Sequence, residues 1–269
     1  MMVRHLITLR LVLLLSVVVA GTATAGAIDN AATARMANVS LIIDDIGYRL
    51  KVDQRAVSLP GPIGYAILPH TPHAEHMAEL AHTMDKDVLV HLPMEALRSN
   101  HLLGPGALTG DMNKTEFAQT IKQGIAAVPY AIGISNHMGS LLTTSQQAMR
   151  WLMQTLHSTG LFYVDSLTIA GSVAGQSASA YQVPYLRRDV FLDDKLEPTA
   201  IRAQFRELIR IARERGSAIG IAHPHPETIT TLATLLPRLS EQGVKLISIR
   251  EMLQVNSPEV FSWQSSSSP

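Results

Sequence analysis

The chain has 269 residues, of which 46% are hydrophobic and 16% charged, so it can bury a sizeable core and is not intrinsically disordered as a whole. Its 22 lysines and arginines equal its 22 aspartates and glutamates, which argues against the basic surface that nucleic-acid binding needs. The absence of cysteine excludes disulfides and thiolate chemistry, whereas 11 histidines leave imidazoles and carboxylates as the available strong metal ligands.

The N-terminus has the composition of a secretory signal peptide. Basic residues precede the apolar run 11–20, and Ala23-Thr24-Ala25 supplies the small residues that signal peptidase recognises. The apolar run of about ten residues is shorter than the roughly 20 that cross a bilayer, which disfavours the alternative of a membrane anchor. We therefore expect residues 1–25 to be removed on export to a bacterial periplasm, with no stable membrane insertion afterwards. Residues 26–37 would form a short linker.

Residues 38–253 alternate between short apolar runs, predicted to be strands, and longer amphipathic runs, predicted to be helices. Because strands and helices alternate, the strands should lie parallel in one sheet that is covered on both faces. The expected α/β fold is a closed or nearly closed (β/α) barrel. A doubly wound open sheet is the alternative, but the first strand lacks the glycine-rich motif of a nucleotide site. The predicted strands are 39–44, 63–68, 88–91, 131–135, 162–165, 185–192, 218–223 and 244–249.

The predicted helices have recognisable boundary signals. Thr71-Pro72 predicts an N-cap followed by the first helical residue, and the segment from Asn113 to Glu116 has the spacing of a capping box. Gly160, Gly216 and Gly243 each follow a helical run and precede a strand by one or two residues. This position predicts a left-handed glycine at the end of each of these helices.

Two segments have neither a helical nor a strand pattern. Residues 92–111 contain two prolines and three glycines and are expected to form a long loop over one end of the fold. Residues 254–269, which end in four serines and a proline, are expected to be a flexible tail. The predicted domain therefore spans residues 38–253.

Polar residues follow the predicted strands, and seven strands end in a histidine or a carboxylate. The carboxyl ends of the strands of an α/β barrel converge on one rim, where barrel enzymes carry out their chemistry. These side chains are therefore expected to be neighbours although they are far apart in sequence. The packing of an apolar core would not require them there. They are Asp44, Asp45, His70, His91, Asn136, His137, Asp165, Asp193, Asp194, His223 and His225.

Some of these residues form a set that could bind a metal. Asp44 and Asp45 are adjacent carboxylates after an apolar strand, and a bound cation would relieve their mutual repulsion. His91 and His137 follow two other strands and complete a set of two imidazoles and one carboxylate with Asp45. Such a set leaves a coordination position for water, as catalytic rather than structural zinc sites do. His223 and His225 follow a later strand, and one of the two could act as a general acid.

Other residues have an ordinary structural alternative. Asp165, Asp193 and Asp194 could each be the N-cap of the helix that follows. Prolines flank His225, and whichever of His223 and His225 is not the acid is favoured as a loop or capping residue. The histidines between residues 70 and 82 lie at or on the helix after the second strand, and we expect them to be surface residues.

Six ordered motifs together resemble the divergent polysaccharide deacetylase family, whose members are exported bacterial relatives of the NodB-type carbohydrate esterases. The resemblance covers residues 38–253. It implies a distorted (β/α) barrel of seven or eight strands with a divalent-metal site at its rim. The motifs are Ile43–Gly47, His91–Glu95, Asn136–Ser140, Asp165-Ser166, Phe191–Asp194 and Ala222–Thr228.

The resemblance also implies roles for individual residues. NodB-type enzymes use an Asp-Asp motif as general base and metal ligand, which implies these roles for Asp44 and Asp45. His91 matches the first histidine of a His-x-x-x-His metal motif, but Glu95 occupies the position of the second. We expect His137 to replace the missing ligand, with Glu95 as the alternative.

The implied activity follows from the family's chemistry. A late histidine, matched here by His223, is implied to be the acid that protonates the leaving amine. The implied cofactor is a divalent metal, with Zn²⁺ the expected ion, and the expected reaction is N-deacetylation of an acetylated amino sugar. The expected partner is an envelope glycan and not nucleic acid. Further residues expected to contact the substrate are Glu95, Asn136, Asp165, Asp193 and His225.

Two other functions remain open because the ligand set departs from the family's pattern. One is a catalytically silent, metal-stabilised envelope protein that binds a glycan or a protein partner. The other is a barrel metallohydrolase that acts on a different ester or amide. Both alternatives keep the metal site and differ from the first in the reaction or the substrate.

Overall fold

The structure, a computed structural model, describes residues 36–256. The predicted signal peptide at residues 1–25 lies outside the described residues, as do most of the predicted linker and the chain after residue 256. Within the described range, no helix combines the length and the apolarity that crossing a membrane requires.

Within residues 36–256, nine parallel strands form one curled sheet, and every predicted strand run overlaps at least one of them. Their order in the sheet is β6-β5-β4-β3-β2-β1-β8-β7, and β9 pairs with the start of β1. The α/β barrel prediction is therefore confirmed. The strands are β1 (Ala37–Ile46), β2 (Gly64–Ile67), β3 (Asp87–Met94), β4 (Ala131–Met138), β5 (Phe162–Asp165), β6 (Tyr185–Arg187), β7 (Val190–Phe191), β8 (Ser217–Ala222) and β9 (Val244–Leu246).

The barrel is nearly closed, because its two edge strands come from one short segment of the chain. The prediction of a single strand over residues 185–192 was wrong in this segment. This run forms two strands, β6 and β7, at opposite edges of the sheet. The Arg188 amide donates to the backbone carbonyl of Asp165 in β5, whereas the Asp189 amide donates to the backbone carbonyl of Ile219 in β8. Because three residues span at most about 11 Å, the end of β6 and the start of β7 must lie close together. The run breaks where its charged residues interrupt the apolar pattern.

The described residues contain eight α-helices, of which seven connect successive strands and α8 follows β9. The predicted capping box is confirmed, since the Asn113 side chain accepts from the amides of Thr115 and Glu116. The helix after the second strand begins at Ala74 and not at Pro72, because the Thr71 hydroxyl donates to the Leu68 carbonyl and does not cap the helix. The helices are α1 (Leu50–Val57), α2 (Ala74–Thr83), α3 (Lys114–Ala126), α4 (Gln146–His157), α5 (Ala174–Ala180), α6 (Pro198–Arg215), α7 (Pro226–Leu235) and α8 (Ile249–Asn256).

Gly216 ends α6 as predicted, and Gly243 ends a 3₁₀ turn over Ser240–Gln242. Helix α4 ends earlier than predicted, at His157, so Gly160 follows it by three residues. Gly160, Gly216 and Gly243 have φ angles of 72°, 89° and 68°, in the left-handed region that glycine adopts without steric cost. Helix α8 extends to Asn256, three residues into the predicted tail, so the tail was predicted to begin too early.

Two apolar layers pack against the sheet, because alternate side chains of each strand point to opposite faces. In β1, Leu41 and Ile43 face the surrounding helices, whereas Ile42 faces the interior of the barrel. Helix α8 contributes Met252 to the interior layer. The Arg250 amide at the start of α8 donates to Asp87 at the start of β3. Helix α8 therefore covers the amino ends of the strands, and the functional residues lie at the other end.

Candidate metal centre

The end of β1 places two carboxylates at the rim of the barrel. Asp44 follows Ile43, which pairs with Ala222 of β8, and its side chain is almost fully buried. The pairing of β1 with β2 shifts register between Ile43 and Ile46, and Asp45 within this irregularity has a left-handed φ of 59°. An irregularity of this kind redirects a side chain. It lets two adjacent carboxylates approach the same region.

The β3 and β4 strands bring two histidines to the same region. These strands lie side by side, with His91 opposite Ser135 and Pro93 opposite His137. His91 Nδ1 lies 2.7 Å from the Ser135 hydroxyl, which holds the ring so that Nε2 faces Asp45. A hydrogen bond at the far nitrogen is the usual way to orient a metal-binding histidine.

Asp45, His91 and His137 converge on one point. Asp45 Oδ1 lies 2.8 Å from His137 Nδ1 and 3.2 Å from His91 Nε2, and the three ligand atoms are all within 4.8 Å of one another. This oxygen is buried, yet no donor among residues 36–256 is aligned to hydrogen bond to it. An unsatisfied carboxylate oxygen beside two imidazole nitrogens fits a divalent cation that takes nitrogen and oxygen ligands.

Burial and nearby charges shift the pKa values of Asp44 and Asp45 in opposite directions. Burial raises the pKa of Asp44, although the nearby imidazole of His91 opposes the shift. Burial also acts to raise the pKa of Asp45, but the imidazoles of His137 and His91 outweigh it and hold this pKa well below its usual range. Asp45 is therefore ionised, as a metal ligand must be, whereas Asp44 is the more basic carboxylate.

His223 lies at the end of β8, beside β1, and is held by Asp193. Its amide donates to Asp193 Oδ2 over 2.7 Å, and its ring Nδ1 lies 3.0 Å from Asp193 Oδ1. The Thr228 hydroxyl also donates to Oδ2. Burial lowers the pKa of His223, but the bond to Asp193 outweighs it and raises this pKa to about 9. The imidazolium is therefore the main form at neutral pH.

The contact between His223 and Asp193 predicts a pH dependence of folding stability. The folded-state pKa of about 9 is above the ordinary value of about 6.5, so the pair stabilises the fold in full below pH 6.5. The stabilisation is lost as pH rises through about 9. We expect Asp193→Asn to remove on the order of 2 kcal/mol at pH 6, allowing for solvent screening of the partly exposed ring, and less at pH 9.5. Urea unfolding of metal-free protein measures both values.

The exposed neighbour Asp194 provides the control for this measurement. Asp194→Asn should leave the pH dependence as in the wild type. If the stability difference between the wild type and Asp193→Asn were the same at pH 6 and pH 9.5, the proposed electrostatic coupling would be refuted.

Asn136 and Asp165, expected to contact substrate, are buried and occupied by hydrogen bonds within the protein. Asn136 Oδ1 accepts from the Tyr163 hydroxyl and the Ser166 amide, both over 2.9 Å. Asp165 accepts from the Leu167 amide and the Ser172 hydroxyl, among others. Asn136 and Asp165 both lie near the carboxyl ends of their strands, with side chains on the face that is covered by helices. They support the walls of the site.

Glu95 and His225 lie in loops. Glu95 Oε2 accepts from the Gly110 amide over 2.7 Å, so its carboxylate fastens the loop that follows β3. His225 is at the N-cap position of α7 but makes no side-chain capping bond, and its ring centroid is 6.1 Å from that of His223. The histidines of the α2 region do not belong to the Asp45–His91–His137 cluster. Within that region, His82 is exposed and stacks on Tyr130.

Sequence reasoning missed Ser135 and the pairing of Asp193 with His223. Ser135 is two residues before His137 and therefore shares its face of the strand, which was a usable signal. Its contact with His91 depends on the register of β3 against β4, and register is not visible in one sequence.

Comparisons with known proteins agree with the fold. The model of the family described as divergent polysaccharide deacetylase matches residues 41–253. The uncharacterized protein YibQ of Escherichia coli (strain K12) is 38% identical over 222 residues, covering 82% of this chain and 68% of YibQ. An uncharacterized protein of Haemophilus influenzae is 38% identical over 203 residues, covering 76% of this chain and 72% of its own.

A solved structure has the same architecture. The crystal structure of the uncharacterized protein ATU2773 from Agrobacterium tumefaciens C58 aligns with a TM-score of 0.78 at 22% sequence identity. The alignment covers 81% of this chain and 89% of that one. At this identity the likeness establishes a shared fold.

Proposed function

The chain belongs to the divergent polysaccharide deacetylase family, and from this premise we propose that it is an exported, metal-dependent hydrolase that N-deacetylates an amino sugar of an envelope glycan. The observation that carries the proposal is the convergence of Asp45, His91 and His137 on one point at the barrel rim. Asp44, near the end of β1, lies beside this point, with Oδ2 3.6 Å from His91 Nε2. His223 directly follows β8, the strand next to β1.

Asp45, His91 and His137 would hold a divalent cation, and we propose Zn²⁺. When bound, such a cation polarises an acyl carbonyl and lowers the pKa of a water molecule from about 15.7 toward about 7. The ligand set suits this ion because it combines two imidazoles with one carboxylate and leaves room for water. Ser135 contributes by orienting His91.

Asp44 and His223 would move the protons. Asp44 is buried and more basic than an ordinary aspartate, and its Oδ1 has no hydrogen-bond partner among the described residues. These properties suit it to accept a proton from the attacking water. His223 uses Nδ1 to contact Asp193, so Nε2 is left to donate a proton to the departing sugar nitrogen. Asp193 is a positioning residue for this ring.

A glycan is the proposed partner, and a bacterial periplasm is the proposed location. The glycan follows from the family, and the location follows from the predicted signal peptide. We propose no nucleic-acid partner, because the charges of the chain are balanced.

A second candidate is a catalytically silent, metal-stabilised protein that binds a glycan or a protein partner in the envelope. Glu95 favours it, because this residue stands where the resemblance expects a second histidine and its carboxylate is engaged by the Gly110 amide. The deacetylase and the silent binding protein would bind the same metal, but only the deacetylase would release acetate.

Acetate release tests the first candidate directly. Purified protein with Zn²⁺ should release acetate from N-acetylglucosamine oligomers, and a chelator should stop the release because the attacking water loses its activation. Enzymatic acetate measurement after incubation provides the readout, with heat-denatured protein as the control. Metal-loaded protein that released no acetate from any acetylated glycan would contradict the proposed reaction and leave the binding candidate.

A further inference from the structure

Asp53 is a fully buried carboxylate outside the metal centre, on helix α1. Its Oδ2 accepts from the amides of Gly47 and Arg49, each over 2.9 Å, whereas its Oδ1 is buried without a hydrogen-bond partner among the described residues. We infer that Asp53 is a positioning residue that fixes the turn after Asp45 and thereby aims the Asp45 carboxylate at the two histidines. The inference rests on the proposed function because it takes Asp45 as a metal ligand.

The backbone of the turn after Asp45 is in an unfavourable conformation, so a specific contact must stabilise it. Asp45 and Gly47 have φ angles of 59° and 129°, so two of three successive residues are in conformations that ordinary side chains rarely adopt. A Cβ on Gly47 would lie 2.1 Å from the Thr71 hydroxyl oxygen, so the turn is also pressed against its neighbour. The strand ends at Ile46, so pairing with another strand does not satisfy the amide of Gly47. Asp53 satisfies it instead.

A simple helix-capping role does not account for both contacts. Arg49 is the N-cap residue of α1, and a carboxylate that accepts its amide resembles half of a capping box. Gly47 lies two residues earlier, outside the helix, and its amide is bound by the same oxygen. Asp53 therefore acts on the loop as well as on the helix.

The same loop is connected to the proposed proton donor. Arg49, whose amide Asp53 holds, donates from Nη2 to the Pro224 carbonyl over 2.9 Å. Pro224 directly follows His223. Asp53 thus supports the segment that carries the metal ligand, and this segment in turn contacts the segment that carries the acid.

The cost of burial supports a specific role. A buried carboxylate with one unsatisfied oxygen is unfavourable, and a residue that only filled space at this position could be apolar. The carboxylate is explained by the two amides that it accepts, because an ionised acceptor binds amide donors about twice as strongly as a neutral one.

Three variants of the full chain test the inference. Asp53→Ala removes the acceptor, and Asp53→Asn keeps a weaker, neutral one. Asp87→Ala is the matched control, because Asp87 is also a buried carboxylate that accepts a backbone amide, but it lies at the opposite end of the barrel. Two readouts are needed. These are the Zn²⁺ affinity, from competition with a chromophoric chelator, and amide hydrogen exchange of Gly47 and Arg49 in metal-free protein.

We expect Asp53→Ala to weaken Zn²⁺ binding by about 10- to 100-fold, the usual effect of losing a residue that supports a metal ligand. It should also accelerate exchange at Gly47 and Arg49. Asp53→Asn should fall between Asp53→Ala and the wild type in both readouts. If Asp53→Ala does not fold, the comparison of Asp53→Asn with the wild type carries the test, and no difference between them would overturn the inference. Asp87→Ala should change neither the affinity nor the exchange of these two amides.

Several results would overturn the inference. These are unchanged Zn²⁺ affinity in Asp53→Ala, an equal loss in Asp87→Ala, or exchange at Gly47 and Arg49 that is the same in all variants. Failure of the proposed function is distinguishable from failure of this inference. If the wild type binds Zn²⁺ but deacetylates nothing, both readouts still decide the role of Asp53. If the wild type binds no Zn²⁺, the part of the inference that concerns the metal fails with the proposed function, and the exchange of the two amides decides only whether Asp53 holds the turn.

Discussion

Replacing His91 or His137 with alanine is expected to reduce the bound zinc from roughly one ion per chain to none. Each substitution removes one of three ligands, and the remaining aspartate and histidine cannot hold the ion against a chelating buffer. Elemental analysis of the mature protein after exchange into such a buffer measures the content.

The control for this experiment is His82→Ala. His82 is an exposed imidazole that stacks on Tyr130, so its loss should leave the zinc content at the wild-type value. Undiminished zinc in both His91→Ala and His137→Ala would refute the assignment of the ligands. Loss in one variant alone would remove the other histidine from the assigned ligands.

Asp44→Asn is expected to lower kcat for acetate release by about 10²- to 10⁴-fold while the zinc content stays at the wild-type value. Asparagine matches the shape of aspartate but cannot accept a proton, and Asp44 is not one of the three clustered ligands. Initial rates at saturating glycan and metal, with zinc content measured on the same samples, provide the test.

The control is Asp85→Asn, which alters an exposed carboxylate at the end of α2. It should leave kcat unchanged, and asparagine tolerates the left-handed backbone of this residue. Full activity in Asp44→Asn would show that Asp44 is not the base. Wild-type protein with zinc and glycan affinity but no turnover, matched by Asp44→Asn, would instead support the silent binding protein.

The fold was predictable because parallel strands that are buried on both faces give short, continuous apolar runs. Leu41, Ile42 and Ile43 are such a run, and all three are fully buried. The run from residue 185 to 192 was misread because two short strands follow each other so closely that they resemble one. Which edges of the sheet they join depends on closure of the barrel, which is a property of the whole sheet.

The site was predictable in its position but only partly in the direction of its side chains. His137 and Asn136 are adjacent in β4 and therefore point to opposite faces. Both were assigned to the rim because both lie near the end of the strand. Ile134, two residues before Asn136, belongs to the apolar layer that faces the helices, so Asn136 also points there. Which alternate residues of a strand point into the barrel decides whether a side chain reaches the site, and a single sequence does not show this.

The near-closure of the barrel at residues 188–189 also separates the proposed chemistry along the chain. The three clustered ligands and Asp44 all precede this segment, whereas His223 and Asp193 follow it. A single cut there would yield one fragment with the complete metal-binding set and another with the proton donor and its partner. To rebuild the proposed active site, β1 of one fragment would have to pair with β8 of the other, as these strands do in the intact chain. Substitutions of the proposed metal ligands and substitutions of the proposed proton donor or its partner therefore fall in different halves of the polypeptide.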